Sequence, residues 1–290
     1  MRGRFLITGA SGMVGRELAH LLGHDHDVIA LAHADLDVAD FAAVRAAVAT
    51  HRPTAFLSVG AWTDVDGCER DPDRAHRVNA LGPRNAAIAC AQAGIPVLQV
   101  STDYVFPGVG KTSPYIEDDA VGPASHYGRS KLAGERFVRE HAAGRFWIVR
   151  TQWVYGHHGK NFVDTMLNLA RQGKDLKVVN DQIGCPTFAR DVARGIVAIL
   201  TRDAGFGTYH CSGNGQASWF EFAAEIFAVA GVHPNSLQPQ PSSQLDRPAP
   251  RPAYSVLRNR MLELTIGDPM PRWQDGLREY LGERMRAPST

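Results

Sequence analysis

Three glycines near the start of the chain narrow the choice of fold more than any other motif. Gly9, Gly12 and Gly15 follow the apolar segment 5–7 and precede apolar residues at helical spacing. In a strand–turn–helix unit, the first glycine permits a tight turn, the second lets the backbone approach a diphosphate, and the third lets the helix pack against the sheet. The motif therefore predicts a dinucleotide-binding turn; the alternative is a glycine turn that binds no ligand.

Apolar segments alternate with helical patterns through the first half of the chain. Predicted strands cover 5–7, 28–31, 55–59, 97–100 and 146–149, and predicted helices cover 14–22, 41–48, 75–93 and 127–141. Such alternation is typical of right-handed βαβ units around a parallel sheet, and continuously apolar strands suit a sheet covered on both faces. We predict an α/β fold with a Rossmann-type, doubly wound parallel sheet in residues 1–152.

The second half is less regular, and its pattern predicts a smaller C-terminal α/β lobe over residues 153–290, mainly for substrate binding. Predicted helices cover 162–171, 191–200, 218–230 and 273–285, with short strands at 176–179 and at Tyr209. A proline-rich loop is expected over 234–252. We expect residues from about 160 to 205 to return in part to the central sheet.

Composition argues against several classes of partner. The net charge is +1 and no basic stripe is visible, so we expect no nucleic-acid partner. No apolar run reaches the roughly 18 residues that a membrane span needs, so we expect no membrane contact. The four cysteines are dispersed and the first residues carry no signal-peptide pattern, which favours reduced thiols and a cytoplasmic location.

Tyr127 and Lys131 lie four residues apart in the predicted helix 127–141, so their side chains share one face. An ammonium beside a phenol favours the phenolate, so we expect Lys131 to lower the pKa of Tyr127 towards neutrality and make it a general acid. Thr102 follows the fourth strand, at the edge where parallel sheets place active groups, and its hydroxyl would bind a carbonyl opposite Tyr127. The alternatives are a solvated helix face and a strand-end cap.

Longer segments of the chain resemble a known family. They are 9–15, 61–66, 78–80, 101–106, 127–131, 150–155, 180–187 and 247–252. In this order they resemble the extended short-chain dehydrogenase/reductase superfamily and, within it, the dTDP-4-dehydrorhamnose reductase family. The S-T-D-Y-V-F segment at 101–106 and the D-Q-I-G-C-P-T segment at 181–187 are the most specific.

The resemblance implies an NAD(P)H-dependent oxidoreductase that reduces the C4 keto group of dTDP-4-dehydro-L-rhamnose to dTDP-L-rhamnose, for cell-wall polysaccharide. It implies that the catalytic residues are Thr102, Tyr127 and Lys131. It implies that the cofactor contacts Tyr127 and Lys131 together with Gly9, Ser11, Gly12, Met13, Val14, Asp37, Val38, Gly60 and Ala61. It implies that the dTDP-sugar contacts Val65, Asp66, Thr102, Asp103, Tyr104, Tyr127, Trp153, Arg247 and Arg251.

The end of the second predicted strand bears on the choice of cofactor. An acid there would hold the adenosine ribose and favour NAD, but the strand ends Leu31-Ala32-His33. We therefore expect NADPH, with NADH as the alternative. Arginine suits bidentate contacts with a diphosphate, which supports Arg251 and Arg247 as substrate residues. The alternative for Arg247 is a solvated side chain of a proline-rich loop.

Two departures from the family pattern concern the sugar pocket and a metal. Trp62 stands where relatives often carry Tyr or His. Relatives can form homodimers through a magnesium site built on glutamates. Glu17 matches one of these glutamates, but Arg190 replaces another, so we predict no metal site and leave a homodimer as an open alternative.

Two other functions stay open from the sequence. One is a nucleotide-sugar epimerase or 4,6-dehydratase of the same superfamily, although the segment 102–104 lacks the glutamate that a dehydratase needs. The other is a regulatory subunit that binds NADP without turnover. The intact set of Thr102, Tyr127 and Lys131 counts against the second alternative.

Overall fold

The computed structural model of the protein describes residues 2–286. Its strands are β1 (Arg4–Thr8), β2 (Asp27–Leu31), β3 (Ala55–Ser58), β4 (Val97–Thr102), β5 (Phe146–Thr151), β6 (Val154–Tyr155), β7 (Asp175–Val179), β8 (Ile183–Gly184), β9 (Thr187–Phe188), β10 (Gly207–His210), β11 (Ala217–Ser218) and β12 (Ser236–Gln240). Its α-helices are α1 (Met13–Gly23), α2 (Phe41–His51), α3 (Val65–Arg70), α4 (Pro72–His76), α5 (Gly82–Ala93), α6 (His126–His141), α7 (Phe162–Arg171), α8 (Ala189–Thr201), α9 (Trp219–Ala230), α10 (Arg260–Thr265) and α11 (Trp273–Arg286). A π-helical turn (Arg77–Leu81) joins α4 to α5, and 3₁₀ turns cover Asp103–Val105 and Ser242–Gln244.

Six parallel strands form the central sheet in the order β2-β1-β3-β4-β5-β10. The direction of winding reverses at β1, whose neighbours are β2 and β3, so a crevice forms beyond the carboxyl ends of these strands. The predicted doubly wound α/β fold is confirmed. The strand at Tyr209 is the edge strand β10, next to β5, so the return of the chain to the sheet extends past residue 205. The domain boundary at residue 152 stays a prediction.

Helices cover both faces of the central sheet. On one face α1 and α8 pack through Leu18, Val192 and Ile196, which are fully buried. On the other face α2 and α5 pack through Val44 and Cys90, which are also fully buried. Each of these helices presents an apolar stripe to the sheet, as a sheet buried on both faces requires.

The C-terminal helices α7, α9 and α11 surround an apolar core of their own. Leu167, Phe222 and Leu277 lie at its centre. Helix α9 begins at a capping box in which Ser218 and Glu221 each bond to the backbone of the other, so its start is defined locally. Within residues 2–286, no helix combines the length and the apolar content needed to cross a membrane.

Several elements differ from the sequence-based prediction. The helix predicted over 75–93 is interrupted by the π-helical turn, because Pro83 has no N–H for the carbonyl of Asn79. The predicted proline-rich loop contains β12, which pairs with β7; Pro239 lacks a donor for the ladder, but an edge strand tolerates this. The six-residue helices α3 and α10 were not predicted, because they are too short to show a helical period.

Candidate active site

The glycine turn lies where the chain leaves β1 and enters α1. Gly9 has φ +71°, in the left-handed region, and a Cβ there would lie 2.5 Å from the Gly60 Cα atom. A Cβ at Gly15 would lie 2.2 Å from the Gly9 carbonyl oxygen. Gly12, the N-cap of α1, has no side chain to bond to the first-turn N–H groups, which an anion can therefore use. The turn fits the diphosphate of a dinucleotide; the other predicted phosphate contacts flank Gly12, namely Ser11, Met13 and Val14.

The segment after β3 lies next to this turn and is tied to helix α6. Trp62 N–H donates to Asn79 Oδ1 at 2.8 Å, and Asn79 Nδ2 donates to the Trp62 carbonyl at 3.0 Å. Asn79 Nδ2 also donates to Ser130 Oγ at 3.1 Å, and Ser130 donates to the Tyr127 carbonyl. The buried Asn79 thus connects the segment that holds Gly60 to the helix of Tyr127. Sequence reasoning assigned Asn79 no role, although it lies in a family motif.

The three predicted catalytic residues lie together at the carboxyl edge of the sheet. Thr102 is the last residue of β4, and its side chain lies next to Tyr127, the second residue of α6. Lys131 lies one helical turn further on, and its Nζ donates to the Val100 carbonyl at 2.7 Å. The Tyr104 ring packs edge-on against Tyr127, with 5.4 Å between the centroids. The structure brings the three side chains together, and their catalytic roles stay a proposal.

The pKa of Tyr127 lies above its ordinary value of 10.0, so the expected lowering by Lys131 is wrong. Burial disfavours the phenolate and outweighs the opposing effect of the nearby Thr102 hydroxyl, and the Asp103 carboxylate adds to the effect of burial. The Lys131 ammonium is directed at the backbone of β4. Tyr127 is therefore a protonated phenol at neutral pH, which is the form that donates a proton.

Lys131 and Asp103 also have shifted pKa values. Burial lowers the pKa of Lys131 to about 8, although the charge of Glu135 acts to raise it. Burial raises the pKa of Asp103 to about 6, against the opposing effects of the Thr102 hydroxyl and the nearby Ser255 side chain. Asp103 Oδ1 accepts the Thr102 hydroxyl at 3.0 Å, so Asp103 orients Thr102 in this structure.

The predicted substrate residues Asp66 and Arg251 form an ion pair. Asp66 Oδ2 lies 2.9 Å from Arg251 Nη2, and Asp66 Oδ1 accepts the Ala249 N–H at 3.2 Å. Burial acts to raise the pKa of Asp66, but these bonds and the charges of Arg251 and Arg247 outweigh it, so the pKa lies below its ordinary value. The same two arginines act on the Tyr104 phenol, which places the loop near it. Arg247 is exposed, whereas Arg251 is mostly buried.

A small apolar cluster surrounds the Tyr127 ring. Trp62, Val65 and Tyr104 are partly buried in this cluster. The Arg74 guanidinium lies 4.3 Å from the centroid of the Trp62 ring, in cation–π contact. The residue that departs from the family pattern, Trp62, therefore forms part of the surroundings of the phenol.

Trp153 belongs to a different aromatic group. Its φ is +46°, and its ring stacks on Trp219 with 3.6 Å between the centroids. A Cβ at Gly184 would lie 2.4 Å from the Trp153 ring, so glycine at that position makes room for the indole. Sequence reasoning missed Trp219, because its pairing with Trp153 joins the start of α9 to the segment between β5 and β6 and leaves no local signal.

The predicted adenine contacts, Asp37 and Val38, lie in the loop after β2. Asp37 Oδ2 accepts Arg77 Nη2 at 2.9 Å, and the Val38 carbonyl accepts Asn85 Nδ2 at 3.1 Å. Asp35, the other acid of this loop, accepts the Ala32 N–H at 2.8 Å. Contacts with the π-helical turn and with α5 therefore hold the loop in place.

Arg190, which the sequence resemblance puts in the place of a metal-binding glutamate, forms ion pairs of its own. Its Nε lies 2.8 Å from Glu17 Oε2, and its Nη1 pairs with Glu279 and Glu283. In the part of the chain that the structure describes, no group of three or more His, Cys, Asp or Glu side chains is arranged to hold a metal ion. The absence of a metal site stays a prediction.

Comparison with known proteins identifies the family. A family model for the RmlD substrate binding domain matches residues 3–286. A dTDP-4-dehydrorhamnose reductase of Streptomyces griseus is 44% identical over 283 residues, which cover 96% of this chain and 93% of that protein. A dTDP-4-keto-6-deoxy-D-glucose reductase of Streptomyces niveus is 38% identical, with 96% of each protein covered.

A solved structure is similar over the same length. It is the dTDP-4-dehydrorhamnose reductase of Bacillus anthracis in complex with NADP, 38% identical, with a TM-score of 0.93 over 98% of this chain and 100% of that chain. The resemblance inferred from the sequence motifs is confirmed. The chain belongs to the RmlD substrate-binding domain family, which is the family of the dTDP-4-dehydrorhamnose reductases.

Proposed function

We propose that the protein reduces the C4 keto group of dTDP-4-dehydro-L-rhamnose with NADPH to give dTDP-L-rhamnose. The observation that carries this proposal is the convergence of Thr102, Tyr127 and Lys131 at the sheet edge that also carries the glycine turn. The names of the relatives support a dTDP-linked 4-keto-6-deoxy sugar as the substrate class. The four free, buried cysteines support a cytoplasmic location.

NADPH is the cofactor that the loop after β2 favours. A free carboxylate at the end of β2 would hold the ribose of NAD and repel the 2′-phosphate of NADP. Here the Ala32 N–H engages Asp35, and Arg77 engages Asp37. The NADP in the Bacillus anthracis relative supports the same choice, and NADH is the alternative that the assay tests.

The bound NADPH supplies a hydride to C4 of the sugar. Tyr127 would donate a hydrogen bond to the C4 oxygen and transfer its phenolic proton to it. Thr102, whose hydroxyl proton bonds to Asp103 in this structure, would turn that proton to the C4 oxygen when the sugar binds. Lys131, one helical turn away, would stabilise the phenolate that remains. Arg251 would bind the diphosphate of the substrate, and Asp66 orients it. The products are the C4 alcohol and NADP⁺.

The test is the loss of NADPH absorbance with dTDP-4-dehydro-L-rhamnose, followed by identification of the product sugar. We expect Tyr127→Phe to lower kcat by roughly 10²-fold or more, which is the size of lost acid catalysis. Tyr209→Phe is the matched control, because it removes the hydroxyl of another buried phenol, which bonds to the Ala204 carbonyl near the opposite end of the sheet. It should keep kcat near that of the wild type.

The alternatives predict other outcomes of this assay. An epimerase or dehydratase regenerates its cofactor and would convert the sugar without stoichiometric consumption of NADPH. The assay is repeated with dTDP-4-keto-6-deoxy-D-glucose as a second sugar. A regulatory subunit would bind NADP and reduce neither sugar. Faster reduction of the second sugar would change the proposed substrate but not the proposed reaction. Near-wild-type kcat in Tyr127→Phe would contradict the role of Tyr127.

A further inference from the structure

Helix α6 is attached to strand β4 by two side chains on successive turns. Lys131 Nζ donates to the Val100 carbonyl at 2.7 Å, and Glu135 Oε1 accepts the hydroxyl of the next residue of the strand, Ser101, at 2.6 Å. The residue after Ser101 is Thr102. These two contacts therefore set how the helix of Tyr127 lies on the strand of Thr102.

Glu135 is an anion in the interior of the protein. Its side chain is fully buried, and the guanidinium of Arg150, itself buried, donates to both carboxylate oxygens at 2.9 and 2.8 Å. Arg139 Nη2 adds a further donor at 3.1 Å from the solvent side. Arg150 lies on β5 directly beside Ser101, so the carboxylate connects three elements of the fold.

A buried ion pair of this kind is weak evidence for stability alone. Removing two charges from water costs several kcal/mol per ion, and apolar side chains of similar volume often stabilise a core equally well. The placement of Glu135 one helical turn from Lys131 gives the pair another use. Burial lowers the pKa of Lys131 to about 8, and the negative charge of Glu135 opposes that effect.

Other charged and titratable groups face Glu135. They are Arg139 from α6, Arg150 from β5 and His210 from β10, and Arg150 also acts on the buried Glu117. Asp103, Tyr104 and Cys68 act on Tyr127 instead. The pKa of Glu135 lies below its ordinary value, since Arg150, Arg139 and Ser101 together outweigh its burial. Glu135 is therefore a fixed anion across the working pH range.

We propose that Glu135 is a positioning residue: its carboxylate, fixed by Arg150 and Ser101, keeps the Lys131 ammonium protonated and keeps α6 aligned on β4. The effect of Glu135 on turnover rests on the proposed reductase function. The effect of Glu135 on the charge of Lys131 does not, so this inference and the proposed function can fail separately.

The charge of Lys131 can be measured directly, because the chain has only five lysines, Lys111, Lys131, Lys160, Lys174 and Lys177. In protein labelled with ¹³C at the lysine Cε, the five signals titrate with pH, and Lys131→Met identifies the signal of Lys131. We expect that signal to titrate at lower pH than the other four. Glu135→Gln should move its midpoint down by about one unit or more, the effect of losing a neighbouring opposite charge.

Three further variants separate charge from structure. Glu135→Asp keeps the negative charge, so the Lys131 midpoint should lie closer to that of the wild type than in Glu135→Gln. Arg139→Ala removes only the solvent-side partner and should leave the midpoint in place. Glu135→Gln with Arg150→Met removes both partners of the buried ion pair, so Arg150 is not left unpaired. This variant should fold even if Glu135→Gln does not, and its Lys131 midpoint should also fall.

The reductase assay supplies the second readout. The alkaline limb of kcat/KM against pH should move down in Glu135→Gln by the amount seen for Lys131. An unchanged Lys131 midpoint, or an equal loss of kcat at every pH, overturns the inference even if the wild type reduces the sugar. A shifted midpoint in a protein that reduces neither sugar leaves the inference standing and removes the proposed function.

Discussion

The cofactor side and the substrate side of the candidate site are built in different ways. On the cofactor side, Gly9, Gly12 and Gly15 form a turn within seven residues. Backbone atoms of neighbouring segments come close to Gly9 and Gly15 because these residues have no side chain. On the substrate side, Asp66 contacts Ala249 and Arg251 across more than 180 residues of chain. The first side depends on space and the second on a partly exposed ion pair, so substitutions should act differently on the two.

The largest effect is expected on the cofactor side, from Gly15→Ala. The new Cβ would lie 2.2 Å from the Gly9 carbonyl oxygen and 2.9 Å from the Ala10 Cα atom, and backbone atoms cannot rotate away. Overpacking of this kind costs roughly 1–3 kcal/mol, so we expect NADPH affinity to fall roughly 10- to 100-fold with a loss of stability. Fluorescence titration with NADPH and urea unfolding measure the two effects.

Gly23→Ala is the control on the same helix. A Cβ at Gly23, near the end of α1, would meet no atom within 4 Å. Alanine should therefore leave NADPH affinity unchanged and raise the free energy of unfolding by roughly 0.5–1 kcal/mol. Wild-type NADPH affinity in both alanine variants would contradict the claim that NADPH binding depends on close packing at the glycine turn.

A smaller effect is expected on the substrate side, from Arg251→Ala. The change removes a charged donor proposed for the diphosphate and leaves Asp66 without its ion-pair partner. Hydrogen bonds to charged groups contribute roughly 1.5–3 kcal/mol, so KM for the dTDP-sugar should rise about tenfold or more, while NADPH affinity stays unchanged. Steady-state kinetics with separate NADPH titration measure both quantities.

The exposed Arg247 provides the comparison for this variant. An exposed charge contributes roughly 0.2–1 kcal/mol, so Arg247→Ala should raise KM only about two- to fivefold. Equal increases in KM for the two variants, or a loss of NADPH affinity in Arg251→Ala, would contradict the separation of the two sides.

The smallest effect concerns Asp66→Asn and its dependence on pH. The pKa of Asp66 is below its ordinary value of 3.8, so its ion pair stabilises the fold above that pH and loses this contribution as the pH falls through the lowered value. We expect the free energy of unfolding of the wild type to exceed that of Asp66→Asn by up to about 1 kcal/mol at pH 7. This difference should disappear below about pH 4. Urea unfolding at pH 7, 5 and 3 tests this, and a gap that widens in acid would refute it.

Much of the cofactor side could be predicted, because its signals are local. The spacing of Gly9, Gly12 and Gly15 between an apolar segment and a helical period identifies the turn, and the spacing of Tyr127 and Lys131 places both on one helix face. Outside the cofactor side, Ser218 and Glu221 mark the start of α9 in the same local way. Each of these features depends only on residues close together in the chain, so the sequence alone predicts it.

The tertiary structure decided what depends on distant partners. The sequence determined the alternation of strands and helices, the glycine turn and the family. Only the folded chain places β10 at the sheet edge, pairs β12 with β7, joins Asp66 to Arg251 and raises the pKa of Tyr127. These features follow from burial and from contacts between remote segments, which a local pattern of residues does not record.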